Sequence, residues 1–436
     1  MASNDKLDCI YTILLPVHKL SMIAGLFVLS NPKNDEQGKR RKSKVTSINN
    51  ITRAIILIIT IVCATTFICV YRYCNYEKIE DRIEHIHLIQ ISITLLTAII
   101  LLFISAFKLE KGLNEIISII SEFDEVLKTS DNMYVNNGKT IKTKIIYLVA
   151  VFVILFVLDV ISCYLNVICH FFTIVMDYTV FLHFIVISQY IAVVFLVKER
   201  FQMINNNLIL PEIVNTNIWS LKCDKLGLIL MKKMKSIKFL SKDQKEYLHT
   251  TENHTWNNIN LVSQTEYFQK QRAHFKILRI AYETLCTVVS MINNLFGFQI
   301  LLSIITLFTE ITSNFYHAIR VIAISTNITA LTVEIMFCGM CWSLQYLLIL
   351  LSSTRICDAA VGQVNEICIS LQRLLLIENL HPDSIAEIQL FIQQIVNRKV
   401  KFTAWGFFTI DSKLMGSIIG AVTTLLVILV QFHKIV

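Results

Sequence analysis

The chain has 436 residues, 54% of them hydrophobic and 17% charged, with a mean hydropathy of +0.59. That balance excludes a soluble globular protein of this length and points to an all-α membrane protein that crosses the bilayer many times. The formal charge of +8 argues against nucleic acid as a partner, because the lysines and arginines sit between apolar runs instead of clustering with aromatics. The twelve cysteines occur as singles, many in apolar runs, as Cys63, Cys69 and Cys163 do. No spacing resembles a zinc site, no cofactor motif is present, and Cys74 with Cys169, near predicted outer ends, is one candidate disulfide.

In chain order, the first apolar patch, Ile10 to Pro16, is broken by His18 and Lys19 and lacks a small-residue cleavage site. It reads as an interfacial or packing helix and not as a signal peptide. The run Lys39-Arg40-Arg41-Lys42 directly precedes an apolar stretch and marks a cytoplasmic flank. Seven spans follow: Ala54 to Tyr71, Ile86 to Phe107, Ile145 to Val167, Phe171 to Val197, Leu295 to Tyr316, Val321 to Leu351 and Leu414 to Phe432. Lysine and arginine concentrate in every second connecting segment, which assigns the N-terminus to the cytoplasm and the C-terminus to the outside. A seven-helix receptor that couples to G proteins has the opposite orientation.

The chain divides accordingly into a cytoplasmic N-terminal segment (1–50) and spans one to four, the expected ligand-binding part (51–197). A cytoplasmic loop (198–275) follows, whose polar middle, Ser241 to Gln271, is expected to be disordered. The last part (276–436) holds spans five to seven, an anchor region and a pore helix. The sequons at Asn50, Asn253 and Asn327 fall on the cytoplasmic side or within a span, so none is expected to carry glycan. Beyond Pro382 and Asp383, with His381 before them, Ile388, Phe391, Ile392, Ile395 and Val396 form an apolar stripe at helical spacing. Gln389, Gln393, Asn397 and Arg398 lie off that stripe, so this helix is not a span. Together with a helical extension over Phe268 to Asn294 it predicts a cytoplasmic helical anchor layer beneath the bilayer.

Ionisable residues within spans are costly and usually face an interior cavity. Here they gather at the outer halves: Glu84, His85, His87 and Gln90 in the second span, Asp159, Asn166 and His170 in and just after the third. Thr173, Asp177 and His183 follow in the fourth, Glu310 and Asn314 in the fifth, and Asn327, Thr329, Thr332 and Glu334 in the sixth. Trp342 and Gln345 lie deeper on that sixth span. The gradient predicts a polar cavity open to the outside and suited to a small polyhydroxylated ligand, whose hydroxyls pair with carboxylates and amides while its CH face packs on the indole. Ligand contact is expected from His87, Thr173, Asp177, Asn327, Thr329, Thr332, Glu334, Trp342 and Gln345. Singly, such residues are more often paired structural groups. No catalytic constellation is present, and the interrupted helices of a secondary transporter are lacking.

In the last span Thr424, Ile428 and Gln431 fall at i, i+4 and i+7 and share a face. Four copies of that face around an axis would line a narrow pore with a ring of amides near its outer end. The string Thr424-Leu425, five apolar residues, then Gln431-Phe432, led in by Gly406-Phe407-Phe408-Thr409-Ile410-Asp411, resembles the signature of the insect gustatory receptors. Tyr11 to Phe27, with Pro16 and Gly25, is similar to that family as well. Leu425 stands where the family has Tyr, and Leu426 where many sugar-receptor members have Glu, so the string looks more like the fructose-receptor branch. The resemblance implies a homotetrameric, ligand-gated cation channel in the cell membrane, gated near Gln431 and Phe432, with the outer cavity as the tastant pocket and a sugar, fructose foremost, as ligand. Bitter-compound and carbon dioxide receptors share the fold, and a metabotropic chemoreceptor is the competing reading.

Overall fold

The computed structural model describes residues 82–127, 170–208, 264–324, 330–376 and 380–434, with isolated positions before and between these stretches. Helix α1 (Arg82–Ile104) passes through a π-helical turn (Ser105–Leu109) into α2 (Glu110–Leu127). Then come α3 (His170–Asn207), α4 (Gln264–Ile324), α5 (Ala330–Leu374) and α6 (Pro382–Asn397). The strands β1 (Thr403–Ala404) and β2 (Phe408–Thr409) pair antiparallel, and α7 (Ser412–Lys434) ends the described chain. Among the described residues, five helical stretches are long and apolar enough to cross a membrane. They carry predicted spans two, four, five, six and seven. Spans one and three lie outside the described residues apart from isolated helical positions.

The helices run well past the predicted span ends. α4 has 61 residues, about 90 Å at 1.5 Å per residue, against an apolar bilayer thickness of about 30 Å. It begins at Gln264, so the stretch 264–271 is helix and not part of a disordered loop. At its other end it includes Val321 to Ile324, and α5 starts only at Ala330, which moves the start of the sixth span. Similarly, α3 continues beyond Lys198 to Asn207. Span boundaries read from hydropathy mark where the environment changes. A helix without proline has no reason to stop there, and the single Gly297 of α4 does not interrupt it.

Hydrogen bonds set the helix directions. Gln90 with Glu310 and Lys108 with Asn294 make α1 antiparallel to α4, as His183 with Ser303 and Asn207 with His274 do for α3. Asn314 Nδ2 donates to Ser343 Oγ at 3.2 Å between antiparallel α4 and α5. Ser370 Oγ to Asn205 Oδ1, 2.8 Å, and the Tyr190–Cys357 contact, 3.1 Å, run α3 parallel to α5. Among the described spans, two, four and six therefore run together and five runs against them.

At one end of the bundle, α2, α6 and the ends of α3, α4 and α5 form a second layer. Its core is aromatic: Phe201, Phe275, Tyr282 and Phe391 are fully buried, with the Tyr282 and Phe391 rings edge-on at 5.6 Å. Each such side chain contributes about 1.5–3 kcal/mol when water is the alternative, a drive absent between lipid-facing helices. α6 starts as predicted, with His381 Nδ1 accepting the Asp383 N–H at 3.3 Å and Pro382 at the first turn. It buries Ile388, Phe391 and Ile395, whereas Val396, assigned to the apolar stripe, is 54% exposed. Buried Ser384 and Glu387 take part in the interface instead, Glu387 accepting from Arg279 Nε at 2.6 Å. Arg398 pairs with Glu283, and its burial lowers the guanidinium pKa from the ordinary value. Deeper still, Arg200 donates to both oxygens of Asp124, 3.1 and 2.6 Å, with both side chains buried.

Candidate functional site

Two features of the transmembrane layer carry polar chemistry. The first is a buried stripe. On α4, Gln299, Ser303, Thr306 and Glu310 recur at i, i+4, i+7 and i+11 and are all buried. Across from them α1 presents Gln90, Thr94 and Thr97 at i, i+4 and i+7, and α3 presents His183. Both oxygens of Glu310 are used: Gln90 Nε2 donates to Oε2 at 2.6 Å and Thr94 Oγ1 to Oε1 at 2.8 Å. Deeper, His183 bridges Thr97 Oγ1 through Nε2 and Ser303 Oγ through Nδ1, each at 3.1 Å, and Thr97 meets Thr306 Oγ1 at 2.8 Å. Ser303 also donates its single hydroxyl proton to Gln299 O at 2.9 Å. Thr97 Oγ1 likewise lies 2.8 Å from Ile93 O and 3.0 Å from Thr94 O, so each hydroxyl has one proton for several acceptors, and either His183 tautomer satisfies part of the network.

The sequence reading placed Gln90, His183 and Glu310 on an open cavity wall. The structure buries all three, Gln90 against Glu310 and His183 against Thr97 and Ser303, where they join α1, α3 and α4. Thr94, Thr97, Ser303 and Thr306 complete the stripe beside them. Their i, i+4 and i+7 spacing in spans two and five is the same sequence signal that groups Thr424, Ile428 and Gln431 in the last span.

The second feature lies on the buried side of α5. Trp342, Gln345 and Tyr346 are buried on one side of α5, with the Trp342 and Tyr346 rings 5.8 Å apart. The parallel register of α3 and α5 brings half-buried Asp177 to the same height along the bundle. Gln345 is 2% exposed, and neither of its amide atoms has a hydrogen-bond partner among the described residues. An amide left so costs about 1–3 kcal/mol, which makes it a natural contact for a hydroxylated ligand or ordered water. His87, Thr173, Thr332 and Glu334 lie in helices, but their side chains fall outside the described set, and Asn327 and Thr329 lie outside the described residues altogether.

α7 packs on α4 and α5 through Ile418 and Val422, both buried, with Leu414, Met415 and Leu426 beside them. Its other face is exposed and holds Gly416, Ser417, Gly420, Thr423, Thr424, Val427, Ile428 and Gln431. Thr423 and Thr424 bond back to Ile419 O and Gly420 O at 2.8 and 2.9 Å, so their donors are satisfied within the helix. Phe432 is helical, with its side chain outside the described set. Asp411 caps α7 through Lys413 N and Leu414 N at 3.0 and 3.2 Å, and Asp358 of α5 accepts from Ser412 N at 2.9 Å. The helix that carries Trp342 and Gln345 is thereby tied to the base of α7.

The model of the 7tm chemosensory receptor family matches residues 14–212 and 239–435, most of the chain. The chain belongs to that family. This chemosensory receptor is a multi-pass membrane protein and not an enzyme. It is 27% identical over 173 residues to gustatory receptor 2a of Drosophila melanogaster, a match spanning 36% of this chain and 40% of that relative's length. To gustatory and pheromone receptor 32a of the same fly it is 46% identical over 48 residues, 11% of this chain and 10% of that one. Its fold is similar to the insect olfactory receptor OR5 from Machilis hrabei, solved in complex with eugenol, with a TM-score of 0.61 at 11% identity over 96% of this chain and 97% of that one.

Proposed function

We propose that this gustatory-type receptor is a ligand-gated, non-selective cation channel of the plasma membrane, a homotetramer built around α7 and opened by a sugar, fructose foremost. The observation that carries the reading is the exposed face of α7: glycines and the Gln431 amide beside back-bonded hydroxyls on an otherwise apolar helix, an amide that lipid alone cannot partner. Thr424 and Ile428 would line the pore, with Gln431 and Phe432 at its gate. Trp342, Gln345 and Asp177 would hold the ligand, joined by His87, Thr173, Asn327, Thr329, Thr332 and Glu334. The N-terminus and the α6 layer would face the cytoplasm.

The test is current recorded from the chain expressed alone under a panel of sugars. Absence of evoked current from every sugar counts against the sugar reading. The name of the 32a relative includes pheromone, which favours a second reading, a receptor for a non-sugar tastant, so lipophilic tastants belong on the same panel. Trp342→Ala and Asp177→Ala should shift the dose-response curve to higher concentration with surface expression retained, and Gln431→Ala should change gating or ion preference. Tagged N-termini reachable by antibody on intact cells would sink the orientation and the channel reading together.

A further inference from the structure

Three apolar boundaries meet at one level of the fold. The second predicted span ends beside Lys108, the fifth opens at Leu295 and the seventh opens after Lys413. Lys108 Nζ donates to Asn294 O at 3.1 Å. One residue earlier, Asn293 holds the strand that leads to α7, donating to Lys401 O at 2.8 Å and accepting Thr403 N at 3.1 Å. A level at which three apolar stretches begin or end is the membrane–water boundary. The β1–β2 hairpin therefore lies in the interfacial layer.

Its tip is rigid and turned outward. Trp405 and Gly406 have φ of 51° and 81°, and Phe407 N–H donates to Ala404 O at 3.0 Å, a type I′ turn. A bulky residue at positive φ is unfavourable, so surrounding contacts must hold it. Phe298 meets the Trp405 ring edge-on at 4.8 Å, and Gly297 lies under the turn, where a Cβ would stand 2.8 Å from Trp405 N. While Phe402, Ala404 and Ile410 turn into the core, Trp405 is 59% and Phe407 70% exposed. Lys399, Lys401 and Lys413 are exposed in the same short segment.

We propose that this hairpin is a binding site for anionic lipid, with the Trp405 and Phe407 rings seated at the glycerol level and Lys399, Lys401 and Lys413 paired with lipid phosphates. An indole with one apolar and one polar edge prefers that layer, and lysines near an anionic surface add their attraction. A second copy of this chain suits the surface less, because two such clusters would bring like charges together. Since Asp411 and Ser412 follow within three residues of β2, lipid held here is held at the base of α7. The proposal does not depend on which ligand, if any, opens a pore.

The experiment uses the full chain in nanodiscs. Lipids brominated near the glycerol end should quench a tryptophan signal that Trp405→Phe removes, and lipids brominated at the chain ends should quench it less. In discs mixing phosphatidylserine with phosphatidylcholine, Lys399→Gln and Lys401→Gln should each lower the enrichment of phosphatidylserine about fivefold, with elution volume unchanged as the control for folding. Equal enrichment in the lysine variants, no quenching of Trp405 by either lipid, or oxidative cross-linking of Trp405→Cys between copies would each overturn the proposal, the last by placing the tip in a protein interface.

Discussion

Glu310 is the residue on which the buried stripe turns, and replacing it by alanine removes both acceptors from Gln90 and Thr94. The two donors are unequally harmed. Thr94 Oγ1 also lies 3.0 Å from Gln90 O and falls back on that bond, so the lasting loss is the Gln90–Glu310 bond, about 1.5–3 kcal/mol for a hydrogen bond to a carboxylate. The cavity left between α1 and α4 adds to this, for a total of about 2–4 kcal/mol. The pairwise part is smaller, because a helix already in the bilayer finds other partners for its polar groups, and such couplings average about 0.6 kcal/mol and reach about 1.7. Glu310→Gln keeps one acceptor and supplies an amide that Gln90 Oε1 can accept, so it should cost under about 1 kcal/mol. The assay is thermal unfolding of detergent-purified chain followed by size exclusion. Glu310→Ala should melt about 2–4 °C below the parent at about 1 °C per kcal/mol for a chain of this length, with Glu310→Gln within about 1 °C of the parent. If alanine and glutamine melt alike, or a cycle with Gln90→Leu shows no coupling, the stripe does not join the helices as argued.

Removing one partner of the buried Arg200–Asp124 pair should cost about 3–5 kcal/mol; Arg200→Met in an Asp124→Leu background should regain part of it, read by the same unfolding assay. Gly297→Ala should destabilise by about 1–3 kcal/mol, since its Cβ would meet Trp405 N at 2.8 Å, and proteolysis within 399–411 should accelerate. Asp358→Ala, which frees Ser412 at the start of α7, should weaken the coupling of ligand to current while ligand binding stays within about twofold, measured by dose-response beside direct binding; equal loss of both would contradict the tether. Gln345→Leu removes the orphaned amide and should stabilise the unliganded chain by about 1 kcal/mol while reducing ligand response, a pair of opposite signs that a purely structural glutamine would not show.

The family was legible in the amino-acid order because its marks are local. An uncharged run of about 20 residues is a span whatever surrounds it, the spacing of Thr424, Ile428 and Gln431 puts them on one face of any helix, and His381 followed by Pro382 starts α6 by its own backbone preferences. Which of two faces is buried is not a local property. The exposed side of α7 and the buried sides of Gln90, His183 and Glu310 depend on where neighbours pack, and the same polar residue can line a cavity or be closed against a partner 220 positions away, as Gln90 is against Glu310. Helix ends were misplaced for a related reason: hydropathy reports where lipid stops, whereas α4 runs on into a second protein layer that supplies new packing. Composition and period thus determined the class, the five spans found among the described residues and which residues of the last helix share a face, and tertiary packing alone decided which faces are buried, which polar groups satisfy one another and which, like Gln345, stay unpaired among the described residues.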